Sequence, residues 1–249
     1  MEFERAGVRL VYETVGDGPA VVLHMGGLGG GQVWREYLPH LAEFRVVLLD
    51  HRGRGGSDRP AGVQQHAMGE YVDDVAALLD VIGEEQAGFV GYSMGAQVGY
   101  AAAAAMPERI VALVGMGAVG PADADREEEL AFAETLRVNG TTWLLDEIEQ
   151  GEEITIPESV RANMAATDVE QFALSIEALS DWSPWPCYPR IVAPTLLLAG
   201  EREDPDRLAA GATALMREAT ARWLPGLGHV GAFLDVDTNG PLIAEHLHW

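Results

Sequence analysis

Ser93 is the residue of this chain whose type and surroundings best suit covalent chemistry. It lies in the stretch GYSMG at 91–95, after an apolar run at 87–90 that predicts a buried strand and before an alanine-rich run at 96–105 that predicts a helix. So tight a strand-to-helix turn strains the serine backbone, and only glycine fits easily two residues before and after it. The strain would push the hydroxyl above the sheet, beside the backbone N–H of Met94 at a helix N-terminus. A helix packed closely on a strand, with a serine that has no chemical role, is the alternative.

The elements that must position this serine alternate between strands and helices. Short apolar runs predict strands at 2–6, 8–15, 21–24, 45–49, 87–90, 110–116, 194–200 and 222–224. Apolar residues recur at helical spacing from Tyr71 to Ile82, which predicts a helix over one face of the sheet. Between 121 and 190 the alternation stops, and helical segments rich in acidic and aromatic residues are predicted instead.

The GYSMG stretch resembles the nucleophile elbow of the α/β-hydrolase family. The loop DHRGRGGSD at 50–58 resembles a second signature of that family, in which the arginine and aspartate are structural. The glycine loop at 25–31, followed by Trp34, resembles a third, although methionine stands at position 25 where histidine is usual. The resemblance implies one domain over 1–249, with a mostly parallel eight-stranded sheet, helices on both faces and a helical cap at 121–190 after the sixth strand.

The resemblance also implies a catalytic triad in the chain order serine, acid, histidine. The acid is expected after the strand at 194–200, where the family has Gly-x-x-Asp, commonly followed by proline. Asp204 precedes Pro205 but comes one residue late, whereas Glu203 has the expected spacing. We predict Asp204, because its short side chain suits holding an imidazole, and keep Glu203 as the alternative. His229, in the loop after the strand at 222–224, is the predicted general base.

Two further groups of site residues follow from the same resemblance. The oxyanion hole is expected from the backbone N–H groups of Met94 and Gly27, with Gly26 as the alternative to Gly27. Substrate contacts are expected from Trp34, Trp143, Met164, Trp182 and Trp185, although a cap also needs apolar residues for its own packing.

The implied reaction is hydrolysis of a carboxylic ester, lactone or thioester through an acyl-enzyme. Family members that open epoxides or carbon–halogen bonds use an aspartate nucleophile, so Ser93 argues against both reactions. Hydrolysis of a carbon–carbon bond in a diketone is one alternative, and a non-enzymatic small-molecule receptor on the same fold is another.

A dinucleotide cofactor is a rival explanation of the glycine loop, since a strand ending in Asp50 follows it. No register of the loop fits Gly-x-Gly-x-x-Gly, because Gln32 and Trp34 occupy the place of the third glycine. We therefore expect no cofactor. No metal is expected either, since His246 and His248 read as part of a solvated tail.

The charge balance excludes other classes of function. The chain has 39 acidic and 16 basic residues, a formal net charge of −23, and no lysine. Without lysine there is no Schiff-base chemistry, and so acidic a surface disfavours nucleic acid. The single cysteine, Cys187, cannot form an internal disulfide and is expected to pack. With no apolar leader and no run of membrane length, we expect a soluble cytoplasmic protein with a small-molecule substrate and no membrane partner; the oligomeric state stays open.

Overall fold

A computed structural model describes residues 1–117, 125–204 and 208–248. These residues form one eight-stranded sheet with the strand order β1-β2-β4-β3-β5-β6-β7-β8. The strands are β1 (Glu2–Arg5), β2 (Val8–Val15), β3 (Ala20–His24), β4 (Arg45–Asp50), β5 (Ala87–Tyr92), β6 (Ile110–Met116), β7 (Thr195–Gly200) and β8 (Ala219–Leu224). β2 is antiparallel to both neighbours, and every pair from β4 to β8 is parallel. The predicted mostly parallel sheet is confirmed.

Helices cover both faces of the sheet. They are α1 (Met68–Ile82), α2 (Met94–Ala105), α3 (Arg126–Glu152), α4 (Glu158–Ala165), α5 (Val169–Leu179), α6 (Leu208–Leu215), α7 (His229–Leu234) and α8 (Val236–His246). One apolar core joins the sheet to α1, α2 and α6, and a second joins its other face to α7, α8 and a 3₁₀ helix at Gly31–Leu41. β3 and β5 are buried along their whole length, as expected of strands covered on both faces.

The segment between β6 and β7 contributes α3, α4 and α5, and it holds the residues predicted to form a cap. Residues 121–124, the first four of the predicted cap at 121–190, lie outside the described part of the chain. Gly140 interrupts α3 with φ 82° and ψ 172°, which bends the helix at that point. α3 packs against α5, and both helices send phenylalanines over Ser93. Across residues 1–117, 125–204 and 208–248, no helix combines the length and apolarity needed to cross a bilayer.

Candidate active site

Ser93 lies where β5 ends and α2 begins. Its backbone has φ 56° and ψ −126°, a conformation that a non-glycine residue keeps only when the surrounding structure imposes it. A Cβ atom on Gly91 would lie 2.2 Å from the carbonyl oxygen of Gly95, and one on Gly95 would lie 2.1 Å from that of His24. Both contacts are far inside van der Waals distance, so both positions require glycine, as the sequence predicted.

Two backbone N–H groups are placed to hold an oxyanion beside Ser93. A ring nitrogen of His51 lies 3.1 Å from the carbonyl oxygen of Gly26. Because the carbonyl and the next N–H of a trans peptide point in opposite directions, the Gly27 N–H points away from His51. Within the described residues, no oxygen accepts a hydrogen bond from this N–H or from that of Met94. Gly27 lines both cavities that open at Ser93 and Gly26 lines neither, which favours Gly27 as the second donor.

Arg54 fixes the glycine loop from behind. This fully buried side chain donates from Nε to the Gly27 carbonyl oxygen at 2.7 Å and from Nη2 to Ser175 Oγ at 3.0 Å. Burial lowers the pKa of Arg54 to about 10, so the guanidinium still carries its proton at neutral pH. It also lies 5.4 Å from the ring centre of Phe172, which packs over Gly27. Sequence reasoning missed this residue, although its place inside the 50–58 loop was the available signal.

His229 is paired with Glu203. Its Nδ1 lies 2.5 Å from Glu203 Oε1, and the second carboxylate oxygen accepts from the Gly200 N–H at 3.3 Å. The ring of Tyr92 stacks on the imidazole with centroids 4.8 Å apart. His229 and Ser93 line the same cavity without a hydrogen bond between them. This is common in ligand-free enzymes, where that bond tightens once substrate binds.

The prediction that Asp204 orients His229 is wrong for this structure. Asp204 is 4% exposed and accepts hydrogen bonds from Leu208 N at 2.6 Å, Ala209 N at 3.1 Å and the Trp223 indole at 2.9 Å. It therefore caps the start of α6 and ties it to β8. The physical reason is the turn after β7, which sends consecutive side chains to opposite sides. Pro205, which was expected to stiffen this loop, lies outside the described residues.

Glu152, at the end of α3, holds the backbone that follows His229. Its two carboxylate oxygens accept from Val230 N at 2.9 Å and Gly231 N at 2.7 Å, in the first turn of α7. A carboxylate is favourable at a helix N-terminus because it meets unpaired N–H groups and the positive end of the helix dipole. The backbone next to the histidine is thus linked to the end of α3, through contacts between residues 78 and 79 positions apart in the sequence.

The 50–58 loop has the structural role predicted for it. Asp50 accepts from the backbone N–H groups of Gly31 at 2.7 Å and Gly56 at 2.9 Å. Arg52 forms a bidentate pair with Asp74, at 2.7 and 2.8 Å, in the buried core. With both carboxylate oxygens of Asp50 bound to the loop backbone, this residue is not presented to a nucleotide ribose.

Two cavities open from Ser93. The larger has a volume of about 670 Å³ and includes Met94 and Gln97, and the smaller, of about 220 Å³, includes His229. Phe132 and Phe172 line both cavities; both belong to the apolar residues of the predicted cap, but neither is among the five predicted substrate contacts. Their positions in the aromatic-rich segment between β6 and β7 were the only available signal.

The structure brings two of the five predicted substrate contacts to these cavities. Met164 lines the smaller cavity and Trp182 the larger. Trp34 is fully buried in the core, with its ring centre 5.1 Å from Tyr37. Trp185 packs on Tyr188 at 5.6 Å, and Trp143 lies on neither lining. For Trp34, Trp143 and Trp185 the structure therefore corrects the prediction, because these rings pack within the fold or lie away from Ser93.

The larger cavity carries negative charge. Asp125, Glu128 and Glu129 line it, and the described lining contains no basic side chain. Burial, and then the neighbouring Glu128 carboxylate, raise the pKa of Glu129. Among the described residues, no group of three or more His, Cys, Asp or Glu side chains is arranged to hold a metal ion.

Comparisons with known proteins agree with this fold. A model of the family described as alpha/beta hydrolase fold matches residues 19–191. The 3-oxoadipate enol-lactonase 2 of Acinetobacter baylyi is 30% identical over 217 residues, which cover 82% of this chain and 79% of that protein. The crystal structure of the enol-lactonase from Burkholderia xenovorans LB400 superposes with a TM-score of 0.88 at 23% identity, with both chains covered completely.

Other curated relatives match over a shorter stretch. Bifunctional epoxide hydrolase 2 of Sus scrofa is 32% identical over 114 residues, which cover 45% of this chain and 20% of that protein. The matched stretches span less than half the length of the first five curated relatives, whose names refer to carbamate or epoxide hydrolysis.

The family model covers more than half of the chain, and its range includes the elbow and the glycine loop. This chain belongs to the alpha/beta hydrolase family.

Proposed function

We propose that this protein hydrolyses carboxylic esters, including lactones and thioesters, through an acyl-enzyme on Ser93. The observation that carries the proposal is that His229, which is paired with Glu203, lines the same cavity as the strained Ser93. A nucleophile, a base and a group that orients the base are the three parts that serine-based acyl transfer requires. Epoxide opening in this family begins with a carboxylate nucleophile, and serine stands in that place here.

In the first half of the reaction, Ser93 Oγ attacks the ester carbonyl while its proton passes to His229 Nε2. The oxyanion that forms is held by the N–H groups of Met94 and Gly27, each of which contributes on the order of 3 kcal/mol. The C–O bond to the alcohol then breaks, and His229 returns the proton to the departing oxygen. Glu203 stabilises the imidazolium between these steps and keeps its Nδ1 protonated.

In the second half, water attacks the acyl group on Ser93. His229 accepts a proton from the water, and the new C–O bond forms as the oxyanion develops again. The bond to Ser93 Oγ then breaks, and His229 returns the proton to that oxygen. An ester gives a carboxylic acid and an alcohol, a thioester gives a thiol in place of the alcohol, and a lactone gives one hydroxy acid, with no change in oxidation state.

The charge of the larger cavity bears on the substrate. The A. baylyi relative is named for the enol-lactone of 3-oxoadipate, a dicarboxylic acid that keeps one carboxylate outside the lactone ring. Three acidic residues line the larger cavity here, and its described lining contains no basic side chain. A carboxylate near them would be repelled without a compensating cation. We therefore propose neutral esters and lactones as substrates rather than that anionic lactone.

We also propose that the segment 121–190 acts as the cap of this site. In support, α3 and α5 supply Phe132 and Phe172 above Ser93, and α3 ends at Glu152 beside His229. This segment should then determine which substrate sizes are accepted, while the residues at the ends of the strands carry out the reaction.

The test is replacement of the nucleophile. Ser93→Ala should reduce kcat for p-nitrophenyl acetate by on the order of 10⁶ and abolish labelling by a fluorophosphonate, because the covalent route is gone. The matched control is Ser159→Ala on α4, an exposed serine whose loss should leave both measurements unchanged. Near-normal turnover by a folded Ser93→Ala variant would refute the proposed function.

A further inference from the structure

The two cavities that meet at Ser93 differ in the catalytic groups they contain. Both include Gly27 and Ser93, where the carbonyl group of the substrate must lie. Among the described residues, His229 lines only the smaller cavity, whereas Met94 lines only the larger. The catalytic groups are therefore distributed unequally around the reacting carbon.

The chemistry of ester cleavage gives this distribution a meaning. The bond that breaks joins the carbonyl carbon to the alcohol oxygen, and that oxygen must receive a proton as it leaves. His229 is the only titratable group of the proposed triad that can deliver the proton, so the leaving oxygen must lie on its side. The acyl chain then extends from the same carbon in the other direction, into the larger cavity.

We infer that the smaller cavity binds the alcohol part of the substrate and the larger cavity binds the acyl part, an inference that rests on the proposed ester hydrolysis. The smaller cavity is lined mainly by apolar side chains, among them Leu144, Ile148 and Met164. At about 30 Å³ per non-hydrogen atom, the volume of one water in the liquid, its 220 Å³ accommodates roughly seven such atoms. The substrate class is therefore esters of short apolar alcohols.

The larger cavity admits a bulkier and more polar acyl group. At the same volume per atom, its 670 Å³ corresponds to roughly 22 non-hydrogen atoms. Its lining includes Gln97 and Ser175 as well as apolar residues such as Ile176 and Leu179. Once the alcohol has left, the smaller cavity is empty next to His229, which is where the hydrolytic water must be activated.

A matched pair of truncations tests this orientation. Ile148 on α3 lines only the smaller cavity and Ile176 on α5 only the larger, and both are half-buried helical isoleucines. The substrates are ethyl, hexyl and octyl acetate for the alcohol part, and ethyl acetate, butyrate and octanoate for the acyl part, with acid release followed at constant pH.

Ile148→Ala should raise kcat/KM for octyl acetate relative to ethyl acetate about tenfold, because the octyl alcohol, with about nine non-hydrogen atoms, exceeds the roughly seven that the cavity holds, and the truncation widens the cavity. It should change the ratio of ethyl octanoate to ethyl acetate less than about twofold. Ile176→Ala should lower the octanoate ratio roughly tenfold, because the long acyl chain loses apolar contact, and should leave the alcohol series unchanged. Ile148→Phe, which narrows the smaller cavity, should depress hexyl acetate selectively.

Interchanged effects of the two alanine variants, or equal effects of each on both series, would overturn the orientation while ester turnover itself stood. Absence of turnover on every ester, together with failure of Ser93 to react with a fluorophosphonate, would instead overturn the proposed function, and the orientation with it. The two failures are therefore distinguishable in one set of measurements.

Discussion

Replacing Glu203 by glutamine should reduce catalysis strongly and leave the fold nearly unchanged. The carboxylate lies 2.5 Å from His229 Nδ1, and during the reaction it faces a full positive charge on the imidazolium. Two unit charges about 4 Å apart interact by about 4 kcal/mol at an effective dielectric constant of 20. Because the His229 side chain is 37% exposed, solvent weakens this interaction, and about 3 to 4 kcal/mol is a reasonable range.

That range corresponds to a reduction of roughly 10² to 10³ in kcat, at 1.36 kcal/mol per tenfold. The assay is kcat for p-nitrophenyl acetate with the purified Glu203→Gln variant, alongside its thermal unfolding. The free energy of unfolding should change little, since the glutamine oxygen can still accept the Gly200 N–H.

Asp204→Asn is the matched control, one residue along the chain. Asp204 accepts three hydrogen bonds and makes none to His229, so an amide there should cost about 2 kcal/mol of stability. For a chain of this size that lowers Tm by roughly 4 to 8 °C, with kcat of the folded fraction within a few-fold of the unmodified protein. A folded Asp204→Asn variant that lost 10² in kcat, beside an active Glu203→Gln variant, would refute the assignment of Glu203.

Two further predictions concern the surroundings of the site. Glu152→Gln should reduce kcat about tenfold with KM for a small ester unchanged, because one charge-assisted hydrogen bond to the first turn of α7 is lost. The control is Glu153→Gln at the neighbouring, exposed residue, which should leave kcat unchanged. Equal activity of the two variants would contradict the role of Glu152 in positioning His229. Burial lowers the pKa of His24 and of His66 to about 4, so between pH 6.5 and 4 the unfolded chain binds more protons than the folded one. The free energy of unfolding should therefore fall by about 3 kcal/mol per histidine as the pH falls through that window. Urea unfolding measured across the window checks this, and a free energy of unfolding that does not change with pH would contradict it.

The strained turn at Ser93 could be predicted from sequence because its determinants are local. Five consecutive residues specify the strained turn, since Gly91 and Gly95 must both lack a Cβ for the strand and helix to approach. The parallel sheet could be predicted for a related reason, because fully apolar runs such as β3 are stable only when helices cover both faces. The structural role of the 50–58 loop could also be predicted from sequence, since Asp50 and Arg52 belong to one contiguous motif.

Only the tertiary structure decided which acid faces His229. Glu203 and Asp204 both follow β7, and both backbone N–H groups bond to the Gly200 carbonyl oxygen, so nothing in the local pattern separates them. The direction of each side chain depends on what packs on either side of the turn: His229 on one side, and the start of α6 on the other. These partners come from other parts of the chain. The spacing of the family motif pointed to position 203, which faces His229, whereas the preference for an aspartate followed by proline pointed to position 204, which does not.

The residues that line the two cavities likewise could not be predicted from the sequence. Residue type alone does not distinguish a core tryptophan from one that faces a cavity: Trp34 is fully buried in the core, whereas Trp182 lines the larger cavity. Phe132 and Phe172 reach Ser93 only because α3 and α5 pack together across the end of the sheet. The sequence by itself determined the fold and the strained turn at Ser93 through short-range constraints. The carboxylate that faces His229, the contacts of Arg54 with the glycine loop and the shape of the cavities at Ser93 depend instead on contacts between segments distant in the chain.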